Sequence, residues 1–233
     1  MVIDPYLSHS VEKAEGPGAA RLFPIAAKPE QLTDIDVVLI SHLHLDHCDP
    51  DTVLPLAGAS AQAKFVGPYE VIEQLRAWEI PDSRLVLAEE KWLDLGSDLR
   101  VRPVPACHPD IERNNEGLLR YVGYVWEFAG RRFYHSGDTK PAQEILSCLS
   151  DLSPIDTVFL PVNEKNFFRD RVGIVGNMSV REAFAICSEI KCRKLIPMHW
   201  DMFALNSVYR EEIAIVFEKM APGFEMVFYP TQV

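Results

Sequence analysis

The segment Ser41–His47 constrains this chain more than any other part of its sequence. It carries four potential metal ligands within six residues, His42, His44, Asp46 and His47, directly after the apolar run Val37–Ile40. A short continuous apolar run predicts a strand that is buried on both faces. The loop after such a strand lets alternate side chains converge on one point. Because imidazole and carboxylate together suit zinc, manganese or iron, the sequence predicts a metal site at the end of this strand.

Three further candidate ligands follow later predicted strands. His108 follows Leu99–Val104, Asp138 follows the strand Arg132–His135 through a glycine turn, and His199 follows Lys194–Pro197. A single histidine or aspartate in such a position is more often structural than functional. Seven potential ligands that all stand at strand ends are better explained by one shared site.

The rest of the chain alternates short apolar runs with amphipathic segments. Further strands are predicted at Lys64–Val66, Leu85–Leu87, Tyr121–Phe128, Thr157–Leu160 and Met226–Tyr229. Helices are predicted at Gly67–Trp78, Pro141–Leu149, Ser179–Ile190 and Tyr209–Met220, the third of them opened by a capping box of Ser179 and Glu182. Residues 13–30 are expected to form a surface excursion. This order predicts a single α/β domain over residues 1–233, whose sheet has parallel and antiparallel pairs and is covered by helices.

Charge and composition narrow the partners. The net charge of −11 disfavours a nucleic-acid binder, whose phosphate contacts need a basic face. No apolar run approaches the ~20 residues of a membrane span, and no signal peptide is visible. The five cysteines are an odd number without paired spacing, which predicts free thiols and a cytoplasmic location.

The motif at His42, His44, Asp46 and His47 resembles the HxHxDH motif of the metallo-β-lactamase superfamily, and the later candidates follow in the order of that superfamily's ligands. The resemblance implies a four-layer αββα sandwich with a dinuclear site between the sheet edges. It places His42, His44 and His108 on one metal ion and Asp46, His47 and His199 on the other. Asp138 would bridge the two ions.

Within the superfamily, the chain is most similar to L-ascorbate-6-phosphate lactonases and their relatives. The segments that carry this likeness are Ile35–Leu39, Phe65–Pro68, Tyr134–Asp138 and Ile196–Asp201, although several recur in the branch that includes N-acyl-phosphatidylethanolamine phospholipase D. Family members usually begin with an extra β-hairpin, whereas this chain starts inside the strand that ends at Asp4-Pro5. Either the true start lies upstream, or one sheet edge is shortened and covered by a partner subunit. The lactonases also carry a longer insert and tail.

The resemblance implies hydrolysis assisted by two divalent ions, zinc or manganese in preference to iron. A hydroxide held between the ions would open an ester or lactone of a small anionic substrate, such as a sugar phosphate. Asp46 and Asp138 would be ligands that also orient the nucleophile or move its proton. His135 is either a packed core histidine or a residue that fixes a ligand by a hydrogen bond. In the loops around the metals, we expect substrate contacts from Arg113, Asn163, Lys165 and Trp200.

Several further functions fit the same residues. One is a phosphodiesterase or phospholipase D-type hydrolase of the same fold. From different classes, a redox di-iron protein and a metal-binding module without turnover also fit. A homo-oligomer is compatible with each of these functions.

Overall fold

A computed structural model of the protein describes residues 1–229 and contains two β-sheets with helices. Its strands are β1 Val2–Ile3, β2 Val37–Leu39, β3 Lys64–Gly67, β4 Leu85–Leu87, β5 Leu93–Asp94, β6 Arg100–Pro105, β7 Val122–Phe128, β8 Arg131–His135, β9 Thr157–Pro161, β10 Lys194–Met198 and β11 Glu225–Met226. Its α-helices are α1 Ser10–Glu15, α2 Pro50–Ala59, α3 Tyr69–Ala77, α4 Gln143–Asp151, α5 Phe167–Asp170, α6 Val180–Glu189 and α7 Arg210–Met220. Short 3-10 helices lie at Pro17–Ala19, Pro29–Gln31, Asp82–Arg84 and Ala204–Asn206. No helix among the described residues is long and apolar enough to span a membrane.

The smaller sheet has the order β1-β2-β3-β4 and is parallel throughout. The larger sheet has the order β11-β10-β9-β8-β7-β6-β5. In it, β5 to β8 pair antiparallel and β8 to β11 pair parallel. The mixed sheet therefore follows from a hairpin-rich first half and the βαβ crossovers of the second half.

Three buried apolar clusters show how the layers stack. Val38 and Ile40 of the β2 segment pack with α2 and α3 on the outer face of the smaller sheet, whereas Val37 and Leu39 point to the opposite face. There they meet alternate residues of β7 between the two sheets. The other face of the larger sheet packs against α4, α6 and α7. The molecule thus has the helix–sheet–sheet–helix order of the αββα sandwich, as the resemblance implied.

Tyr124 joins the two sheets. Its side chain is fully buried, and its hydroxyl donates to the backbone carbonyl of Ile40 at 2.7 Å, with Val66 O at 3.2 Å. A buried hydroxyl needs such a partner, and here the partners belong to the facing sheet. The hydrogen bond fixes the larger sheet against the end of β2, where the histidine-rich loop begins.

Most predicted elements are confirmed, and the differences have local causes. The capping box at Ser179 and Glu182 forms at the start of α6. Helix α2, with Pro55 in its interior, was not predicted, because proline within a segment normally argues against a helix. The strand predicted at Met226–Tyr229 is wrong in its extent, since only Glu225 and Met226 pair with β10. The last four residues of the predicted domain, 230–233, lie outside the described residues.

Candidate metal centre

Four strand ends bring the predicted ligands together. The loop after β2 carries His42 to His47, and β6, β8 and β10 lead to His108, Asp138 and His199. Gly137 makes one of these turns possible: its φ is +59°, and a Cβ there would lie 2.7 Å from the Cβ of Ser41. His199 also has a positive φ of 58°, an uncommon conformation for a residue with a side chain. Such local strain is typical of functional sites.

The side chains of one half of the cluster approach each other closely. His44 Nδ1 lies 3.2 Å from His108 Nε2, and the His42 ring is 4.5 Å from the His44 ring and 5.2 Å from the His108 ring, centre to centre. Within this trio the potential ligand atoms all lie within 4.8 Å of one another. That spacing is what three ligands around a single cation need.

The other half contains Asp46, His47 and His199, with potential ligand atoms also within 4.8 Å of one another. His199 Nε2 lies 3.2 Å from Asp46 Oδ2 and 3.4 Å from His47 Nε2. Asp138 faces both halves. Its Oδ1 is 3.3 Å from His199 Nε2, and its Oδ2 is 3.8 Å from His108 Nε2. The position of this carboxylate fits a bridge between two ions.

Buried atoms without hydrogen-bond partners test whether a cation fits. His42 is almost fully buried, and its Nε2 has no hydrogen-bond partner among residues 1–229; the same holds for Oδ1 of the buried Asp138. Ser41 Oγ donates to Asp4 Oδ2 and is therefore the acceptor for His42 Nδ1–H, which leaves the lone pair of His42 on Nε2. An unpaired buried lone pair is costly unless something binds it. Both atoms therefore fit a metal cation.

Asp4 is a functional candidate that the sequence analysis missed. Its carboxylate accepts from Ser41 N at 2.7 Å, from Ser41 Oγ at 2.6 Å and from His47 Nδ1 at 2.8 Å. The contact with His47 selects the tautomer in which Nε2 is free to bind a cation. Asp4 has a positive φ of 44°, and its backbone N–H donates to Leu39 O, so β1 and β2 hold it in place. The available signal in the sequence was an acidic residue, Asp4, directly after a short apolar strand and before Pro5.

The charges of the cluster shift its pKa values in opposite directions. Burial lowers the pKa of His42 well below its ordinary value, and the neighbouring His47 and His44 lower it further. Burial also acts on His47, but Asp46, Asp138 and Asp4 outweigh it and raise the pKa to about 10. Burial raises the pKa of Asp46, yet His47 and His199 hold it below its usual range. His199, His47 and His108 likewise lower the pKa of Asp138 against the effect of burial, so Asp46 and Asp138 are ionised and suited to bind a cation.

Two residues border the cluster. His135 accepts a hydrogen bond from Gly137 N through Nδ1 at 3.1 Å, so it shapes the turn that delivers Asp138. Burial lowers its pKa to about 4, which keeps the ring neutral and able to accept this bond. Tyr121, which the sequence placed only at a strand start, packs with ring-centre distances of 5.7 Å to His42 and 5.6 Å to His108.

The four predicted substrate contacts have partners within the protein. Arg113 pairs with Glu90 and Glu144, and Lys165 lies 3.8 Å from Asp170. Asn163 is buried between Asn206 and Asn177, to which it is hydrogen-bonded. Trp200 donates from Nε1 to Pro197 O and packs on Phe228. Among residues 1–229, none of these four side chains lines the cavity that opens onto the cluster. Their contact with substrate stays a prediction.

A cavity of about 280 Å³ opens directly onto the cluster. Its floor consists of cluster side chains, namely His44, Asp46, His108, Asp138 and His199. Its walls come from three segments, which are α1 with the following turn, residues 173–175 and residues 203–206. A small molecule in this cavity would touch the potential metal ligands on one side and loop side chains on the other.

Comparison of the sequence with known proteins identifies relatives of this chain. The family described as "Beta-lactamase superfamily domain" matches residues 1–200. An uncharacterized protein of Mycobacterium tuberculosis is 30% identical over 205 residues, which are 88% of this chain and 55% of that protein. The chain thus spans about half the length of this relative. A UPF0173 metal-dependent hydrolase of Pyrococcus abyssi is 25% identical over 221 residues, 91% of this chain and 90% of that protein.

Solved structures share the fold. The isothiocyanate hydrolase from Delia radicum gut bacteria superposes with a TM-score of 0.73 at 15% identity, over 98% of this chain and 88% of that chain. CmlA, a diiron β-hydroxylase from Streptomyces venezuelae, does so with a TM-score of 0.66 at 19% identity, over 97% of this chain and 49% of that chain. At these identities the likeness concerns the fold alone, because one fold carries many chemistries.

Proposed function

The chain belongs to the metallo-β-lactamase superfamily, and from that premise we propose that it is a metal-dependent hydrolase that opens a small ester or lactone. One observation carries the proposal: seven potential ligands from four strand ends meet in one cluster, and five of them form the floor of one cavity. His42, buried in the same cluster, has an Nε2 without a hydrogen-bond partner among residues 1–229. The curated relative from Pyrococcus abyssi bears the name of a metal-dependent hydrolase, which supports the same class.

We assign the ligands by their grouping in space. His42, His44 and His108 would hold one divalent ion, and Asp46, His47 and His199 would hold the second. Asp138 would contact both, since its two oxygens face opposite halves of the cluster. Bound divalent cations, zinc or manganese in our proposal, supply Lewis acidity and a water whose pKa is lowered to about 7 in the case of zinc.

The chain's own residues would perform the remaining work. Asp46 borders the cavity with its Oδ2 3.2 Å from His199 Nε2, so it is placed to hold a proton from the attacking water and deliver it to the leaving oxygen. Asp138 would orient the nucleophile from the opposite side. Asp4 and Ser41 keep His47 and His42 in the orientations that ligation needs. The apolar walls would exclude bulk water from the reacting centre.

Hydrolysis of a panel of small substrates tests this proposal. Metal-reconstituted protein should hydrolyse 4-nitrophenyl butyrate or γ-butyrolactone faster than bis(4-nitrophenyl) phosphate. Chelation and His44→Ala should each remove the activity by at least about a thousandfold, because a ligand that organises the nucleophile is lost. Asp36→Asn, a change at an exposed carboxylate at the start of β2, serves as the control. Activity that survives chelation contradicts the proposal, and a preference for the phosphodiester favours a phosphodiesterase.

The redox and binding-module hypotheses have their own tests. Metal analysis of protein purified without chelators distinguishes zinc or manganese from the iron of a redox protein. Failure on all substrates after metal reloading would favour a binding module without turnover. The ascorbate-phosphate lactonase-like branch, a homo-oligomer and a cytoplasmic location remain predictions from the sequence.

A further inference from the structure

The walls of the cavity are mainly apolar. Above the cluster they are formed by Val11, Leu45, Ile174, Val175, Phe203 and Leu205. Apart from the cluster itself, the one charged side chain that lines the cavity is that of Glu15, within residues 1–229, and it is exposed and acidic. No lysine or arginine of the described chain lines it. The walls therefore offer a substrate hydrophobic contact and no compensating positive charge.

Guanidinium groups around the cavity and the cluster are engaged by other partners. Arg120, which lies over the Tyr121 ring, pairs with Glu70 and Glu112. Arg21, from the segment next to the cavity, donates to the backbone carbonyls of Tyr6 and Ser8 and stacks on the Tyr6 ring. Arg169 donates to the carbonyls of Glu164 and Ser207. A guanidinium engaged in this way is not free to form a bidentate pair with a phosphate or carboxylate. The small anionic substrate that the resemblance implied would therefore meet no lysine or arginine in the lining of this cavity, within residues 1–229.

One side of the apolar wall is already assembled. Val11 and Phe203 belong to one buried cluster with Tyr6, and Leu45 packs against it. Backbone hydrogen bonding ties the segments together, since Leu22 N donates to Met202 O at 2.9 Å. A preformed wall loses little entropy when a ligand binds, which favours a tight contact with a small apolar group.

We propose that the site is specific for small uncharged esters or lactones that carry a short aliphatic or aromatic group. This inference rests on the proposed hydrolase function and specifies its substrate class as uncharged, in place of the anionic substrate that the sequence resemblance implied. The reacting carbonyl would lie at the cluster, and the apolar group would lie against Leu45, Phe203 and Leu205. A volume of about 280 Å³, near the lower end of small-molecule sites, suits a small substrate. A negative charge on that group would lose its hydration and meet the carboxylate of Glu15.

Binding of paired metal-chelating probes tests the inference without requiring turnover. Butyrohydroxamic acid and succinic acid monohydroxamate have the same length, but the second ends in a carboxylate. We expect the uncharged probe to bind metal-loaded protein at least about tenfold more tightly in calorimetry. Extension of the uncharged series by one methylene should raise affinity by about fourfold until the cavity is filled. Equal or tighter binding of the anionic probe would overturn the inference.

Two exposed leucines provide matched variants. Leu205 lines the cavity with 63% of its surface exposed, whereas Leu22 is 53% exposed and does not line it. Leu205→Lys should improve the relative affinity for the anionic probe by about threefold, and Leu22→Lys should leave the ratio unchanged. The same shift in both variants would mean that net charge, not the wall, sets the preference, and would contradict the inference.

Kinetics on 4-nitrophenyl butyrate and 4-nitrophenyl hemisuccinate separates the two proposals. A neutral preference in binding without hydrolysis of either ester would refute the hydrolase function and support the pocket assignment. Hydrolysis of both esters with equal kcat/KM would support the hydrolase function and overturn the substrate class. If neither hydroxamate binds, the substrate class is overturned, and if in addition neither ester is hydrolysed, both proposals fail.

Discussion

Asp4→Asn is the most informative single change, because it alters the hydrogen bonds that orient the cluster without replacing a proposed ligand. The wild-type carboxylate accepts three hydrogen bonds, from Ser41 N, Ser41 Oγ and His47 Nδ1. Asparagine keeps an oxygen for Ser41 N, but its amide group cannot accept from the other two donors. To be paired with this amide, a neutral His47 must carry its proton on Nε2, the atom that faces Asp46 and Asp138, and not on Nδ1. The variant therefore opposes metal binding at His47.

The magnitude follows from the two lost hydrogen bonds. A hydrogen bond to a charged group contributes about 1.5–3 kcal/mol, and both side chains of the Asp4–His47 pair are only 6% exposed. Rotation of the Ser41 hydroxyl recovers part of this, so we expect the free energy of unfolding of the metal-free protein to fall by about 3 kcal/mol. Loss of a partner that orients a metal-binding histidine typically weakens metal affinity by 10- to 100-fold, or about 1.4–2.8 kcal/mol.

Competition with a chromophoric chelator measures the affinity, and urea denaturation of metal-free protein measures the stability. The matched control is Asp36→Asn, which makes the same chemical change at an exposed position and should alter neither quantity. If Asp4→Asn retained wild-type affinity for both ions, the argument that Asp4 orients His47 would be refuted.

Three further predictions concern the frame of the site. Gly137→Ala should lower the free energy of unfolding by about 2–3 kcal/mol in urea denaturation, because the added Cβ meets Ser41 and φ is +59°. In the control Gly58→Ala, in α2, the added Cβ meets no atom of the described residues within 4 Å, so this variant should be slightly more stable. A destabilised Gly58→Ala would show that this interpretation of the two positions is wrong. Burial lowers the pKa of His135 to about 4, so between pH 6.5 and 4 the unfolded chain binds more protons than the folded one. The free energy of unfolding should therefore fall by about 3 kcal/mol as the pH is lowered through this range. His135→Gln should lose this contribution, and an unchanged dependence of stability on pH in the variant would contradict it. Tyr124→Phe should cost about 1–3 kcal/mol in the same assay and leave metal affinity unchanged, since its hydroxyl joins the sheets and not the cluster.

The sequence predicted the layered fold and the convergence of the cluster for identifiable physical reasons. Val37–Ile40 is apolar at every position, and the structure buries alternate residues of it in two different clusters. The ligand candidates stand directly after such strands, and strand ends on one edge of a sandwich meet in space. Local pattern and tertiary position therefore coincide in these segments.

The surroundings of the cluster were not predictable in the same way. Asp4 acts through residues 37 to 43 positions away, and nothing in the local pattern links it to His47. The cavity walls come from α1, residues 173–175 and residues 203–206, which are short, irregular segments without periodicity. The polar residues chosen as substrate contacts form hydrogen bonds or ion pairs with other protein groups instead. Asn163, for example, is hydrogen-bonded to Asn177 and Asn206. Polarity of a loop alone does not tell whether its partner is a ligand or a neighbouring loop.

Anomalous diffraction from crystals of metal-loaded protein tests the central claim most directly. We predict two ions per chain, one contacted by His42, His44 and His108 and the other by Asp46, His47 and His199, with Asp138 touching both. A single ion that leaves His108 or His199 without a metal contact, or ions bound elsewhere on the chain, would contradict it.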